Sequence, residues 1–210
     1  MRTLKEKKMS KRLVLVLLIA TVLTGGVFAQ FSMSAGLGGD FGVAMRSVPK
    51  DHGDSPKPLI GGGFNVFFDA TYAMFKVGMF IGGNSEEYGP TTVKQTNTYL
   101  SFGLLGKYPI NLGSSFSLFP MLGFEYNLIL SEKTDSTTYK RADMSSHASD
   151  LDMFIIQLGL GADIDLTKSI YLRPSLLWGV DLNMNESEKN AKVFKHKLDV
   201  GIAFGFKFYG

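Results

Sequence analysis

Cysteine is absent from the 210 residues, tryptophan occurs once, and there are only seven prolines. Without cysteine there is no disulfide scaffold, no thiolate metal site and no lipid-modified cysteine anchor. Charge is also sparse, at 20% of residues against 45% apolar, which excludes a charged disordered chain. Beyond residue 29 no apolar run approaches the roughly 20 residues that a membrane-crossing helix needs. Glycine, by contrast, is plentiful, with 24 residues.

The formal charge of +3 is carried by one end of the chain. Arg2, Lys5, Lys7, Lys8, Lys11 and Arg12 outweigh Glu6, and without that segment the balance is −2. An apolar run from Leu13 to Leu23 follows, then Thr24-Gly25-Gly26 and Val27-Phe28-Ala29. A basic start, a short apolar stretch and small residues at a cleavage point describe a secretory signal peptide over residues 1–29, with Met9 as an alternative start. The run is too short for a spanning anchor. Residues 30–210 are then expected to work outside the cytoplasm, and nucleic acid is not an expected partner because the basic segment is removed.

Along the rest of the chain apolar residues recur with period 2, the signature of strands with two unlike faces. Phe31, Met33, Leu37, Phe41, Val43 and Met45 alternate with Ser32, Ser34, Gly36, Gly38, Asp40 and Arg46. Seven further sets run from Ile60 to Phe68, Ala73 to Ile81, Leu100 to Ile110, Phe116 to Leu130, Phe154 to Leu166, Ile170 to Leu182 and Leu198 to Phe208. Each is about the length a tilted strand needs to cross a bilayer, or slightly more. Short turns are expected near 69–71, 111–114 and 165–168, and long polar segments at 47–57, 82–97, 131–149 and 183–196. Alternating short and long connections place every long loop at one end, as in barrels with short periplasmic turns and long extracellular loops.

The polar face mixes glycine with charge: Gly61 and Gly63 with Asn65, Gly159 and Gly161 with Asp163, Gly201 and Gly205 with Asp199 and Lys207. Small residues beside long charged ones suit a narrow filled lumen, because glycine on a solvent-facing strand only weakens it. The bulky face, with Tyr108, Tyr126 and Trp178 towards the strand ends, then meets lipid. The competing arrangement, a soluble barrel with its apolar face turned inward around a ligand, leaves the glycine unexplained. Pro120 and Pro174 read as bulges or bends near the periplasmic rim.

With these strands, loops and glycine-rich face, residues 30–210 resemble the small outer-membrane β-barrels of the OmpX, opacity-protein and OmpA-barrel type. The resemblance implies an all-β, eight-stranded antiparallel up-and-down barrel in the outer membrane of a diderm bacterium, surrounded by outer-membrane lipid. In that family the barrel-assembly machinery reads an aromatic last strand, a role that falls here on Phe204, Phe206 and Phe208, although Tyr209-Gly210 follow. Members include adhesins, enzymes, channels and structural proteins, so the architecture says little about the role.

A lumen this narrow must neutralise its own charges. An internal ion-pair network is expected among Lys76, Lys107, Glu125, Asp163, Arg173, Asp181, Asp199 and Lys207, with Asp163 to Arg173 its foremost pair. A conduit with a cation-attracting cup of Glu125, Asp181 and Asp199 is the alternative, alongside a channel for small or apolar solutes of the OmpW type. His147-Ala148-Ser149 has the His-x-Ser spacing of small lipid A-modifying barrels, but Asp150 follows and no glutamate on that strand could orient the imidazole. His52 and His196 fall at loop ends. No metal or cofactor motif appears, so the expectation is a non-enzymatic surface or structural protein without a cofactor, whose loops meet a host or environmental ligand.

Overall fold

The computed structural model describes residues 32–47, 57–88, 91–135, 137–144, 148–183 and 193–208. The segment expected to be a signal peptide, along with His52, His147 and Tyr209-Gly210, lies outside the described residues. Ten strands follow in chain order: β1 (Met33–Ser47), β2 (Leu59–Ala70), β3 (Ala73–Tyr88), β4 (Thr91–Lys107), β5 (Ile110–Asn111), β6 (Phe116–Thr134), β7 (Thr137–Lys140), β8 (Met153–Asp165), β9 (Ile170–Asp181) and β10 (Phe194–Phe208). Eight of them form an antiparallel up-and-down ring, closed where β1 pairs with β10, while the short β5 and β7 flank β6. Closure satisfies the backbone of every ring strand within the membrane, where no water is available to do so.

The two faces of each strand part as the period-2 pattern requires. Leu37 (66% exposed), Phe64, Leu122 and Phe204 point out of the ring, whereas Asn65, Lys76, Glu125, Asp163 and Asp199 are buried inside it. The apolar face is therefore the outer one, which rules out a soluble barrel with an apolar interior. Aromatic rings mark both ends of the outer band: Tyr72 stacks on Tyr108 (centroids 6.4 Å apart) beside the short turns, and Phe124 meets Phe154 (5.9 Å) towards the other end. Phe206 and Phe208 also touch edge-on at the end of β10.

The short connections, including Thr71-Tyr72 and residues 166–169, lie at the end where Met33 pairs with Phe208, so the ring begins and finishes there. The opposite end departs from the sequence reading. Residues 82–97 and 131–149, expected as long loops, are largely ordered: β3 and β4 pair out to Tyr88 opposite Thr91, and β6 turns back into β7 with Thr134 opposite Thr137. Their outer segments are polar but rich in threonine, Thr91, Thr92, Thr96 and Thr98 on β4 and Thr134, Thr137 and Thr138 on the second hairpin, and threonine's branched side chain suits a pleated strand. The second hairpin turns through Asp135 (φ 50°), whose carboxylate accepts the Lys94 amide at 3.1 Å and ties β7's hairpin to β4.

Neither proline carries a bulge. Pro120 stays in register opposite Leu160, and at Pro174 the β8–β9 ladder merely loses its pairs at Ala162 and Asp163 before resuming unshifted. The register shift falls instead at Thr98/Tyr99, where Leu130 is the extra residue of β6 between Ile129 and Ser131. Proline facing outward costs one ladder bond without forcing an inserted residue.

Candidate functional site: the lumen and its outer mouth

Two charged clusters fill the lumen. Near the short-turn end, Arg173 donates through Nε and Nη2 to both oxygens of Asp163 (2.6 and 2.8 Å) and meets Asp69 through Nη2 (2.5 Å), while Lys107 holds Asp69 at 2.7 Å. The guanidinium sits over Phe67, Phe119 and Tyr171, 4.9 to 5.1 Å from their centres, and Lys107 over Phe119 at 4.8 Å. Lys207 pairs lower down with Asp165 at 2.5 Å. A planar fork that bridges two carboxylates and stacks on rings is a job for arginine rather than lysine.

Higher up, Glu125 receives Lys197 at 2.8 Å and Lys76 at 3.1 Å. Lys197 also reaches Asp199 (3.1 Å), Lys76 reaches Asp40 (3.6 Å), and Asn65 donates to Asp40 at 2.6 Å. Asn127 donates to Glu125 at 3.0 Å and accepts from Ser101. Glu125 is 1% exposed and Arg173 3%. Ions this deep cost several kcal/mol each unless paired, so their neutralisation is a condition of the fold.

The structure brings seven of the eight sequence-selected lumen residues into these contacts, and the eighth, Asp181, is buried at the outer mouth. Asp181 Oδ1 accepts the amides of Phe154 and Asn183 (2.9 and 3.0 Å), capping the backbone where β9 ends. Glu125, Asp181 and Asp199 therefore form no common acidic cup, because Lys197 stands between Glu125 and Asp199 and Asp181 serves the rim. Asp69, Asp40 and Lys197 complete the two clusters.

The inner face is also less polar than its sequence suggested. Phe67, Met74, Leu105, Phe119, Met121, Tyr171 and Leu177 make an apolar layer inside the ring, and Phe80, Tyr99 and Ile129 make another nearer the mouth. Several glycines make room for rings: a Cβ on Gly161 would strike Phe119, and one on Gly205 would strike Tyr171. Gly103 does the same for the stem of Lys76. The signal was present in strand parity, since Phe67 shares its face with Asn65 and Asp69, but Phe67-Phe68 and Leu104-Leu105 blur the alternation. A cavity of only about 10 Å³ lies within the upper cluster and one of about 30 Å³ between the two.

At the outer end the lumen widens into a bowl of about 360 Å³. The β6–β8 connection folds over one side of it through a 3-10 turn (Arg141–Asp143) and a single helical turn (Ala148–Leu151), placing Met144 and Ala148 on Phe80, Tyr99 and Ile129. Asp152 anchors this strap: it takes both Arg141 nitrogens (2.6 and 3.0 Å), the Ile129 amide (2.9 Å) and the Tyr126 hydroxyl (2.9 Å). Burial alone would raise the Asp152 carboxyl, but the Arg141 hydrogen bonds, the Ile129 amide and the Tyr126 hydroxyl together hold it below its ordinary value. A depressed carboxyl stabilises the strap above the unfolded aspartate value of about 3.9 and loses that contribution as pH falls through the folded value. The protection factor of the Ile129 amide, taken against its intrinsic exchange rate at each pH, is accordingly expected to fall below about pH 4 in the native chain and to be low at every pH in Asp152→Ala.

Ser149 lies exposed on the helical turn, its backbone oxygen accepting Asn183 Nδ2 at 2.9 Å. His196 sits on β10 with its ring 5.3 Å from Phe194. Among the described residues no group of three or more His, Asp or Glu is placed to hold a metal ion.

An eight-stranded ring with an apolar outside and a charged, aromatic inside defines a transmembrane β-barrel. Residues 13–208 match the family model described as the outer membrane protein beta-barrel domain, so the chain belongs to that family, whose members lie in the outer membrane of diderm bacteria. No curated protein sequence matches the chain. Among solved structures it is similar to Ail, the attachment invasion locus protein of Yersinia pestis, in complex with the heparin analogue sucrose octasulfate (9% identity, 84% of this chain and 99% of that one, TM-score 0.42). It is also similar to Neisserial surface protein A (14%, 86% and 98%, 0.46) and to OprG of Pseudomonas aeruginosa (13%, 86% and 96%, 0.42).

Proposed function

We propose that this outer-membrane barrel is a non-enzymatic surface protein whose lumen is a structural plug and whose outer sheet engages a host or environmental ligand. The observation that carries the reading is strand length. β3, β4 and β6 have 16, 17 and 19 residues, against the roughly 9 to 11 a tilted strand needs to cross the bilayer. Their outer ends, joined by β7, form a four-stranded sheet that stands clear of the membrane. It has two free edges among the described residues, because β3 beyond Gly83 pairs only with β4 and β7 pairs only with β6. Exposed strand edges are templates for a partner's backbone.

Replacing residues 84–95 by a two-residue Asn-Gly turn tests this. The shortened barrel should still shift mobility on heating, while cells displaying it lose adhesion to cultured host cells and abiotic surfaces that the full chain confers. Unchanged adhesion would remove the sheet from the function. The lumen clusters and the small cavities in and between them support a closed interior, so planar bilayers should show no discrete conductance steps, and steady steps would favour the channel reading.

A further inference from the structure

We propose that the outward face of the outer sheet holds the headgroup of a phosphorylated glycolipid through a diagonal row of Lys94, Lys133 and Lys140. This face continues the lipid-facing side of the barrel. Met79, Leu100 and Leu128 stand side by side on β3, β4 and β6, and two residues further out the same face carries Ile81, Thr98, Ser131 and Lys140 in one line across four strands. The apolar band gives way to hydroxyls and charge at that line, which places it against the lipid headgroups.

The register fixes the spacing of the lysines. Lys133 on β6 is flanked by Thr96 on β4 and by Thr138 on β7. Lys94 lies two residues outward from Thr96, and Lys140 two residues towards the membrane from Thr138, so each is a diagonal neighbour of Lys133 at about 7–8 Å. All three are exposed, and none of their ammonium groups has an ion-pair partner among the described residues. Asp135 and Asp143, the acids beside the row, accept instead the backbone amides of Lys94 and Lys140 (3.1 and 3.2 Å). Three like charges so placed repel, and anions seated along the row offset that repulsion.

Two features select the lipid. The row is about 15 Å from end to end, which a single phosphate cannot span and two phosphates on one headgroup can. Thr96, Thr98, Ser131 and Thr138 occupy the positions between the lysines, so the rest of the headgroup meets hydroxyls, which both donate and accept and suit a sugar. Lysine supplies a point charge on a flexible stem, which can follow the phosphate of a mobile lipid without a fixed geometry.

Calorimetric titration of the chain refolded in zwitterionic micelles tests this, with diphosphoryl lipid A, monophosphoryl lipid A, phosphatidylethanolamine and dextran sulfate as probes. Saturable binding of diphosphoryl lipid A is expected, severalfold tighter than that of the monophosphoryl form, with none for phosphatidylethanolamine. Lys94→Gln, Lys133→Gln and Lys140→Gln should each weaken it about fivefold, the loss expected for one lysine at an anionic lipid surface. The three together should weaken it more than tenfold and leave the heat-shifted gel band in place, because all three side chains are exposed. Lys168→Gln, which removes an exposed charge at the short-turn end, should leave binding unchanged. The proposal is overturned if diphosphoryl lipid A does not bind, if the monophosphoryl form or phosphatidylethanolamine binds as tightly, if the triple variant binds like the native chain, or if Lys168→Gln weakens binding as much as the others. Binding of dextran sulfate alone would assign the row to a soluble polyanion and overturn it as well.

Discussion

Arg173→Met should cost the barrel about 3–5 kcal/mol of stability, because it strands the carboxylates of Asp163 and Asp69 in the lumen. Lys107 can answer only one of them, since it reaches Asp69 at 2.7 Å while Asp163 takes both its ionic hydrogen bonds from the guanidinium. The loss includes stacking on Phe67, Phe119 and Tyr171, which adds roughly 1 kcal/mol or more per desolvated ring contact. In urea unfolding from micelles a loss of that size lowers the midpoint by at least about 1 M at ordinary slopes. Arg173→Lys should fall between, keeping the charge but losing the fork. The decisive comparison is the double variant Arg173→Met, Asp163→Asn, which leaves Asp69 paired with Lys107 and should recover the part of the loss that comes from stranded charge, though not the ring stacking. A single variant within 1 kcal/mol of the native chain would show that the cluster is wet and the lumen open.

Glu125→Leu should also be damaging, by about 3 kcal/mol, because both buried ammonium groups lose their nearest carboxylate. It leaves two buried ammonium groups, Lys76 and Lys197, facing only Asp40 and Asp199. It also removes the acceptor of Asn127, itself fully buried. Glu125→Gln, which keeps an acceptor but drops the charge, should cost less than the leucine. Adding Lys197→Met to Glu125→Leu should deepen the loss rather than restore it, since Asp199 then loses its cation. The readout is the temperature at which the folded gel band gives way to the unfolded one. Equal temperatures for the native chain and Glu125→Leu would mean that Lys76 and Lys197 are solvated rather than held by Glu125.

What could be read from the sequence, and what could not, follows from the range over which each interaction acts. The period-2 alternation is local, so the eight ring strands and their outward apolar faces are legible without the structure, as in Leu198 to Phe208, where every second residue is apolar. Glycine beside charge, as in Gly161 and Asp163, is also local and points the polar face inward. Which lysine meets which carboxylate is different, because it depends on the stagger of strands far apart in sequence. Lys197 meets Glu125 across 72 residues, and nothing near either one specifies it. Asp181 has the parity of a lumen acid and is buried at the mouth, but that it also caps two backbone amides at the end of β9 is not written in its neighbours. The outer ends of β3, β4 and β6 read as loops because they are polar on both faces, as a strand surrounded by water on both sides must be. The apolar layers around Phe119 and Tyr171 were hidden by the expectation that a lumen is polar throughout, whereas side chains that fill a narrow cylinder need bulk as well as charge.

The absence of cysteine makes the central claim, that the apolar face meets lipid and the charged face fills the interior, open to direct measurement. Single cysteines placed one at a time from Lys197 to Phe206 on β10 can carry a spin label in reconstituted bilayers, where collision with oxygen reports contact with lipid. Labels at Leu198, Val200, Ile202, Phe204 and Phe206 should show high oxygen accessibility, and those at Lys197, Asp199, Gly201, Ala203 and Gly205 low accessibility to oxygen, in strict alternation. A flat profile, or one in which the apolar positions are the protected ones, would contradict the account.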